Sequence, residues 1–113
     1  MELSMTHNLT DPMIEEVSGL FSALGDISRL KVLRTLLNAS EPLSQGAVAK
    51  KAGLNQANAS KHLSCLVRSG LVKRDPDGNT VYYSLVQPLV SNLCDLVCGH
   101  VSSRAKSTYQ ALR

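Results

Sequence analysis

Aromatic side chains are scarce in this chain of 113 residues, which has one Phe, three Tyr and no Trp. Proteins that hold single-stranded nucleic acid commonly stack its bases on aromatic rings, so the composition argues against that class. A long apolar run and a secretion signal are also lacking, and the sequence therefore predicts no membrane partner. The three cysteines are an odd number, which argues against a disulfide framework and favours a reducing, cytoplasmic location.

Acidic side chains are missing from the middle of the chain. Residues 43–74 carry six Lys or Arg residues and no Asp or Glu. The chain up to Asp26 shows the reverse pattern, with five acidic residues and no Lys or Arg. A molecule with one basic face and one acidic end is oriented by a polyanion, although its net charge is only +3. The charge distribution thus favours a nucleic-acid partner.

Capping residues and apolar spacing predict five helices and one hairpin. The first four helices are expected to begin at the capping residues Asp11, Asp26, Ser44 and Asn55. Two β-rich runs, 71–74 and 80–85, flank the turn sequence Pro-Asp-Gly-Asn, and Pro88 opens the last helix. That helix is apolar around most of its circumference, which predicts burial against a partner subunit.

This order, α-α-α-α-β-β-α, predicts a mainly α fold with a small β-hairpin, the winged helix-turn-helix. Residues 1–10 are expected to form a flexible N-terminal tail, and residues 105–113 a C-terminal tail. Residues 11–104 are then expected to form a single winged helix-turn-helix domain.

The fourth helix is expected to present its polar face to double-stranded DNA. Its predicted apolar stripe is Ala59, Leu63, Leu66 and Val67, which leaves the polar residues on the outward face and its flanks. Amide side chains can pair with adenine, hydroxyls with bases or phosphate, and cations with guanine or phosphate. Lys50 and Lys51 are expected to neutralise phosphates. The other predicted DNA-binding residues are Ser44, Gln45, Gln56, Asn58, Ser60, Lys61, His62, Ser64, Lys73, Arg74 and Asn79.

Three segments of the sequence form a recognisable set, namely LGDISRLKVLRTLL, LNQANASKHLSCLVRSGLVKR and NTVYYSL. They resemble the ArsR-type (ArsR/SmtB-like) family of winged helix-turn-helix repressors, which usually has Asp-Pro-Thr-Arg where this chain has Asp26-Ile27-Ser28-Arg29. The resemblance implies a homodimer joined through the first and last helices, with two recognition helices in successive major grooves of an imperfect palindrome. It also implies repression that is relieved by a metal, a metalloid or a thiol signal.

Two of the family's common sensor sites are missing from this sequence. The third-helix thiol motif would fall at residues 42–47, which read PLSQGA and contain no thiol. The last-helix zinc site would need ligands where Gln87, Pro88 and Leu89 stand, and only His100 matches its second half. A zinc ion at that site is therefore not expected.

Cys94 and Cys98 are the candidate metal ligands, because two thiolates four residues apart on one helix can chelate a soft ion such as As(III), Cd or Pb. Cys65 is a further candidate, since SKHLSCL resembles the recognition helix of family members that sense cadmium and lead. Those members have a second cysteine where this chain has Ser69. Two other roles stay open for the thiols, namely inert apolar packing and redox or persulfide sensing.

The sequence favours a DNA-binding transcriptional repressor over two rival functions. An enzyme is not expected, because the chain shows no recognised catalytic signature and no Gly-rich phosphate loop. The alternative is a winged helix that binds another protein instead of DNA, and the polar face of the fourth helix argues against it.

Overall fold

The computed structural model describes residues 9–111, which form five helices and three short strands. Residues 1–8 of the predicted N-terminal tail therefore lie outside the described part of the chain. The elements, in chain order, are α1 (Asp11–Leu24), α2 (Ile27–Leu37), β1 (Leu43–Ser44), α3 (Gln45–Ala52), α4 (Gln56–Arg68), β2 (Val72–Asp77), β3 (Thr80–Leu85) and α5 (Leu89–Ala111).

Side-chain caps start the first four helices, as the sequence predicts. The caps Asp26, Ser44 and Asn55 are confirmed, since each accepts a hydrogen bond from the backbone N–H three residues later, at 3.0, 3.2 and 2.8 Å respectively. The cap predicted at Asp11 is wrong by one residue. Thr10 Oγ1 accepts from the N–H of Met13 instead, because Asp11 is already inside the helix.

A glycine ends the fourth helix and turns the chain into the wing. Gly70 has φ of 77°, a left-handed conformation that costs glycine nothing in steric strain. Its N–H donates to Val67 O and the N–H of Leu71 donates to Leu66 O, both at 3.0 Å. This pair of bonds is the Schellman motif, which satisfies the last carbonyls of α4 and directs the chain into β2.

The hairpin is part of a three-stranded antiparallel sheet with the order β1-β3-β2. The sequence predicted the two wing strands but missed β1, whose two residues pair with Tyr83 and Tyr82. Strand β2 also runs on to Asp77, beyond the predicted end at residue 74, and leaves the two-residue loop Gly78–Asn79. As β2 lies at the sheet edge, Pro76 fits within it.

The core is built mainly from α2, α4 and the sheet. Val32 and Leu33 of α2 and Leu63 and Leu66 of α4 are at most 1% exposed, and Leu71 is fully buried beside them. The α2–α3–α4 unit and the wing therefore form one packed body, and the core fixes the position of the outer face of α4.

The last helix adds little to this core. Among the described residues of α5, Val90 is buried and Leu93 and Cys94 are half-buried, whereas Leu96 and Val101 are exposed. The helix continues past residue 104 to Ala111, so residues 105–111 are helical rather than the tail expected from the sequence. No glycine or proline interrupts residues 100–111, and polar side chains can continue an exposed helix without an apolar stripe. Within residues 9–111, no helix is both long and apolar enough to cross a membrane.

Candidate DNA-binding surface and thiol sites

The outer face of α4 carries most of the side chains predicted to contact bases. Gln56, Asn58, Lys61 and Ser64 are exposed, and Ser60 is half-buried. Ala59, Leu63 and Leu66 on the other side of the helix are buried in the core. The helix thus presents amides, hydroxyls and a cation together, which is the donor and acceptor set that reads base edges in a major groove.

His62 does not belong to this face. The sequence assigned it to DNA contact, but its side chain is only 8% exposed, and its Nδ1 atom is buried without a hydrogen-bond partner in the described part of the chain. The physical reason is spacing, because residue 62 falls between the buried residues 59 and 66 at helical intervals of three and four. The apolar stripe predicted from the sequence included Val67, which is half-buried, and left out His62.

His62 lies instead near the junction between α1 and α2. The pKa of the Asp26 carboxyl is lowered, first by the hydrogen bond from the Arg29 N–H and to a smaller extent by the charge of the Arg29 guanidinium and by the nearby His62 side chain. The Arg29 side chain also binds the end of α1, since Nε donates to Ala23 O at 2.7 Å and Nη2 donates to Ser22 O at 3.1 Å. These contacts fix the exit of α1, and the residue pattern of the sequence alone did not identify them.

The N-terminal ends of α3 and α4 are joined by two glutamines. Gln45 Nε2 donates to the backbone oxygen of Gln56 at 3.4 Å and to Gln56 Oε1 at 3.2 Å. A Cβ atom placed on Gly46 would stand 3.4 Å from Gln56 Nε2, so the Gln56 amide lies against the first turn of α3. The sequence predicted both glutamines as DNA contacts but gave no sign that they bind each other.

The cations of the wing point to opposite faces of the sheet. Arg74 pairs with Tyr83, which is buried, and Lys73 pairs with Ser84. Because side chains alternate along a strand, Lys73 and Arg74 cannot both follow one line of phosphates. Both cations and Asn79 are exposed, and so are the carboxylates of Asp75 and Asp77 on the same strand. The wing is therefore mixed in charge rather than uniformly basic.

The thiols are free, and within residues 9–111 of one protomer they do not form a complete metal site. Cys94 is half-buried and Cys98 is exposed, and the pKa of Cys94 is raised by burial first and then by the neighbouring Cys98 and Asp95. Cys65 lines a separate groove of about 440 Å³ between α1 and α4, together with Glu15 and Arg68. Across residues 9–111, no group of three or more His, Cys, Asp or Glu side chains is placed to hold a metal ion.

Comparisons with known proteins agree with this architecture. The helix-turn-helix domain model of the IclR family matches residues 30–76. The chain is 37% identical over 81 residues to the uncharacterized HTH-type transcriptional regulator YceK of Bacillus subtilis, covering 72% of this chain and 79% of that protein. It is also 38% identical over 73 residues to a probable mercury resistance operon repressor of Streptomyces lividans, covering 65% of this chain. These two relatives are named as transcription regulators, not as enzymes.

The chain spans a little over half the length of two curated relatives. The match covers 57% of the mercury resistance repressor and 56% of the nodulation protein NolR of Rhizobium meliloti, to which the chain is 40% identical over 70 residues. Among solved structures, it is similar to the homodimeric winged helix-turn-helix DNA-binding domain Mb0332 of Mycobacterium bovis, described as a possible ArsR-family regulator. That similarity has a TM-score of 0.78 with 26% identity and covers 87% of this chain and 92% of that domain. The chain belongs to the ArsR-type family of winged helix-turn-helix transcriptional regulators.

Proposed function

We propose that the protein is a sequence-specific transcriptional repressor that binds a palindromic operator as a homodimer. The observation that carries the proposal is the outer face of α4, where Gln56, Asn58, Lys61 and Ser64 are exposed within an acid-free stretch of the chain. The buried stripe of the same helix holds this face in a fixed orientation. A rigid polar helix flanked by cations matches the demands of base readout in a major groove, with phosphate contacts setting the register.

A second copy of the chain is the partner that the apolar surface fits. In one protomer, Phe21 of α1 is 61% exposed and Leu96 and Val101 of α5 are 74% and 57% exposed. Side chains of this size on two helices would form an apolar patch that monomers rarely leave in water. A homodimer through α1 and α5 covers these side chains and carries two α4 helices, which suits an operator with two half-sites.

The test is binding of the reduced protein to the duplex DNA upstream of its own gene, measured by fluorescence anisotropy over a series of salt concentrations. We expect tight binding whose logarithm falls steeply and linearly with the logarithm of the salt concentration, because phosphate contacts release counterions. A winged helix that binds protein instead of DNA would show weak binding to every duplex. That result would contradict the proposed function.

The signal that releases the operator is proposed to be a thiophilic ion at Cys94 and Cys98. The two thiols lie one helical turn apart on α5 and supply two ligands. A third ligand would come from the second protomer, since one protomer offers no cluster of three in the part that the structure describes. The mercury resistance repressor among the relatives supports this class of ligand. Packing or redox sensing by the same thiols is the competing role.

Titration of As(III) or Cd(II) into the protein–DNA complex separates these roles. Release of DNA at about one ion per monomer or per dimer, lost in the double variant Cys94→Ser with Cys98→Ser, supports an ion site. Cys65→Ser on α4 tests the further candidate thiol, and we expect this variant to release DNA as the wild type does. Because the pKa of Cys94 is raised, ion binding must displace a proton, and the apparent affinity for Cd(II) should fall as the pH is lowered. If neither ion releases the DNA, packing or redox sensing remains as the role of these thiols.

A further inference from the structure

The side chain of Gln45 contacts that of Gln56, and the sequence did not predict this contact. We propose that Gln45 is a positioning residue that fixes the amide of Gln56 in one orientation, so that the recognition helix prefers adenine to guanine at one position of each half-site. The inference rests on the proposed DNA-binding function and adds the base that this part of the site reads.

The orientation of the Gln45 and Gln56 side-chain amides follows from which of the neighbouring atoms can donate a hydrogen bond. The backbone oxygen of Gln56 is an acceptor only, so the end of Gln45 that lies 3.4 Å from it must be the Nε2 donor. The same Nε2 lies 3.2 Å from the side chain of Gln56, which must therefore present its oxygen there. If the Gln56 amide were flipped, two NH₂ groups would face each other. Gln45 thus determines which end of Gln56 is oxygen and which is nitrogen.

A fixed amide can distinguish the two purines. Adenine offers an acceptor at N7 and a donor at N6, which match an amide NH₂ and an amide oxygen. Guanine offers acceptors at both N7 and O6, so the oxygen of a fixed amide would face another oxygen. Gln56 Oε1 keeps a second lone pair after accepting from Gln45, and Gln56 is exposed. A free glutamine could rotate to reduce the repulsion from guanine, whereas a glutamine held by Gln45 must first break the 3.2 Å hydrogen bond.

The surrounding structure keeps the two glutamines together. Ser44 caps α3 immediately before Gln45, and Asn55 caps α4 immediately before Gln56, through hydrogen bonds of 3.2 and 2.8 Å. The two side chains therefore project from the first residues of two well-fixed helices. The Nε2 atom of Gln56 also lies 3.4 Å from the position that a Cβ atom on Gly46 would occupy. Little backbone movement is left to separate them.

The experiment begins by selecting the preferred duplex of the full-length homodimer from random DNA. Each A·T pair of that duplex is then replaced in turn by G·C, in both half-sites together. For each replacement, the dissociation constant of the G·C duplex is divided by that of the preferred A·T duplex. For the wild type, we expect one A·T position per half-site at which the ratio is about tenfold or more. Gln56→Ala should bring the ratio at that position close to one.

The decisive variant is Gln45→Met, which keeps the side-chain length and removes the donor. It should lower the adenine preference at the same position to about threefold or less, and any change in overall affinity cancels in this ratio. Gln45→Lys restores a donor and should restore the preference, because a general gain in affinity from the added charge cancels in the ratio. Asn58→Ala is the matched control and should leave the preference at this position intact.

Two results would overturn the inference while leaving the repressor proposal in place. One is a full adenine preference in Gln45→Met, and the other is a Gln56→Ala variant that loses preference at no position. If the wild type selects no sequence at all, the proposed function fails together with the inference. The thermal unfolding midpoints of the variants should equal that of the wild type, since both glutamine side chains lie outside the core.

Discussion

The salt dependence of DNA binding should change by a calculable amount when Lys61 is replaced by alanine. Lys61 is exposed on the outer face of α4, and a homodimer presents it twice. If each copy contacts one phosphate, the slope of log K against log salt should become less steep by about 1.8, because each contact contributes about 0.9. Between about 50 and 200 mM salt, the affinity of the wild type should then fall about tenfold further than that of Lys61→Ala.

The assay is fluorescence anisotropy with the duplex that the wild type prefers, repeated at several salt concentrations for both proteins. Lys106→Ala in α5 is the matched control, since it removes the same charge from a helix outside the proposed DNA surface. Its slope should equal that of the wild type. An unchanged slope in Lys61→Ala would show that Lys61 contacts no phosphate and that the reasoning about this face of α4 is wrong.

Further predictions concern the cap of α4, the dimer surface and the α1–α2 junction. Asn55→Ala removes the 2.8 Å bond to the N–H of Asn58 and should lower the free energy of unfolding by about 1 kcal/mol in a urea titration. Phe21→Glu places a charge on a side chain that is 61% exposed in one protomer, and sedimentation should show a dimer weakened about 100-fold or more with the protomer still folded. Because the pKa of Asp26 is lowered in the folded protein, its carboxylate stabilises the fold at pH values above the usual carboxyl pKa. This stabilisation is lost as the pH falls through the lowered pKa. Asp26→Asn, which keeps a capping side chain, should therefore lose less stability between about pH 5 and pH 3 in the same urea titration.

Helix starts were predictable because their chemistry is local. A cap needs one oxygen placed three residues before an N–H, and the structure confirms this arrangement at Asp26, Ser44 and Asn55. The left-handed Gly70 at the end of α4 is equally local. The winged helix-turn-helix order therefore follows from short stretches of sequence, with an error of one residue at Asp11.

The features that the sequence did not predict depend on contacts between distant residues. Strand β1 exists because Leu43 and Ser44 meet β3, which lies about forty residues away along the chain. His62 is polar and was assigned to the surface, yet the packing of α4 buries it near Asp26. The bond between Gln45 and Gln56 likewise depends on the angle at which α3 meets α4. Residue type and spacing give none of these distances.

Few side chains of α5 are buried in the core of one protomer, and this affects which substitutions the helix can tolerate. Val90 is its buried side chain among the described residues, and most of the helix beyond Cys94 is exposed in one protomer. In the proposed homodimer, every substitution in α5 appears twice across the two-fold axis, so a small change in one contact is doubled at the interface. The same substitution hardly alters the stability of a single protomer. Substitutions in α5 can therefore change the affinity between the protomers and the chemistry of the proposed ion site while the DNA-binding surface stays folded.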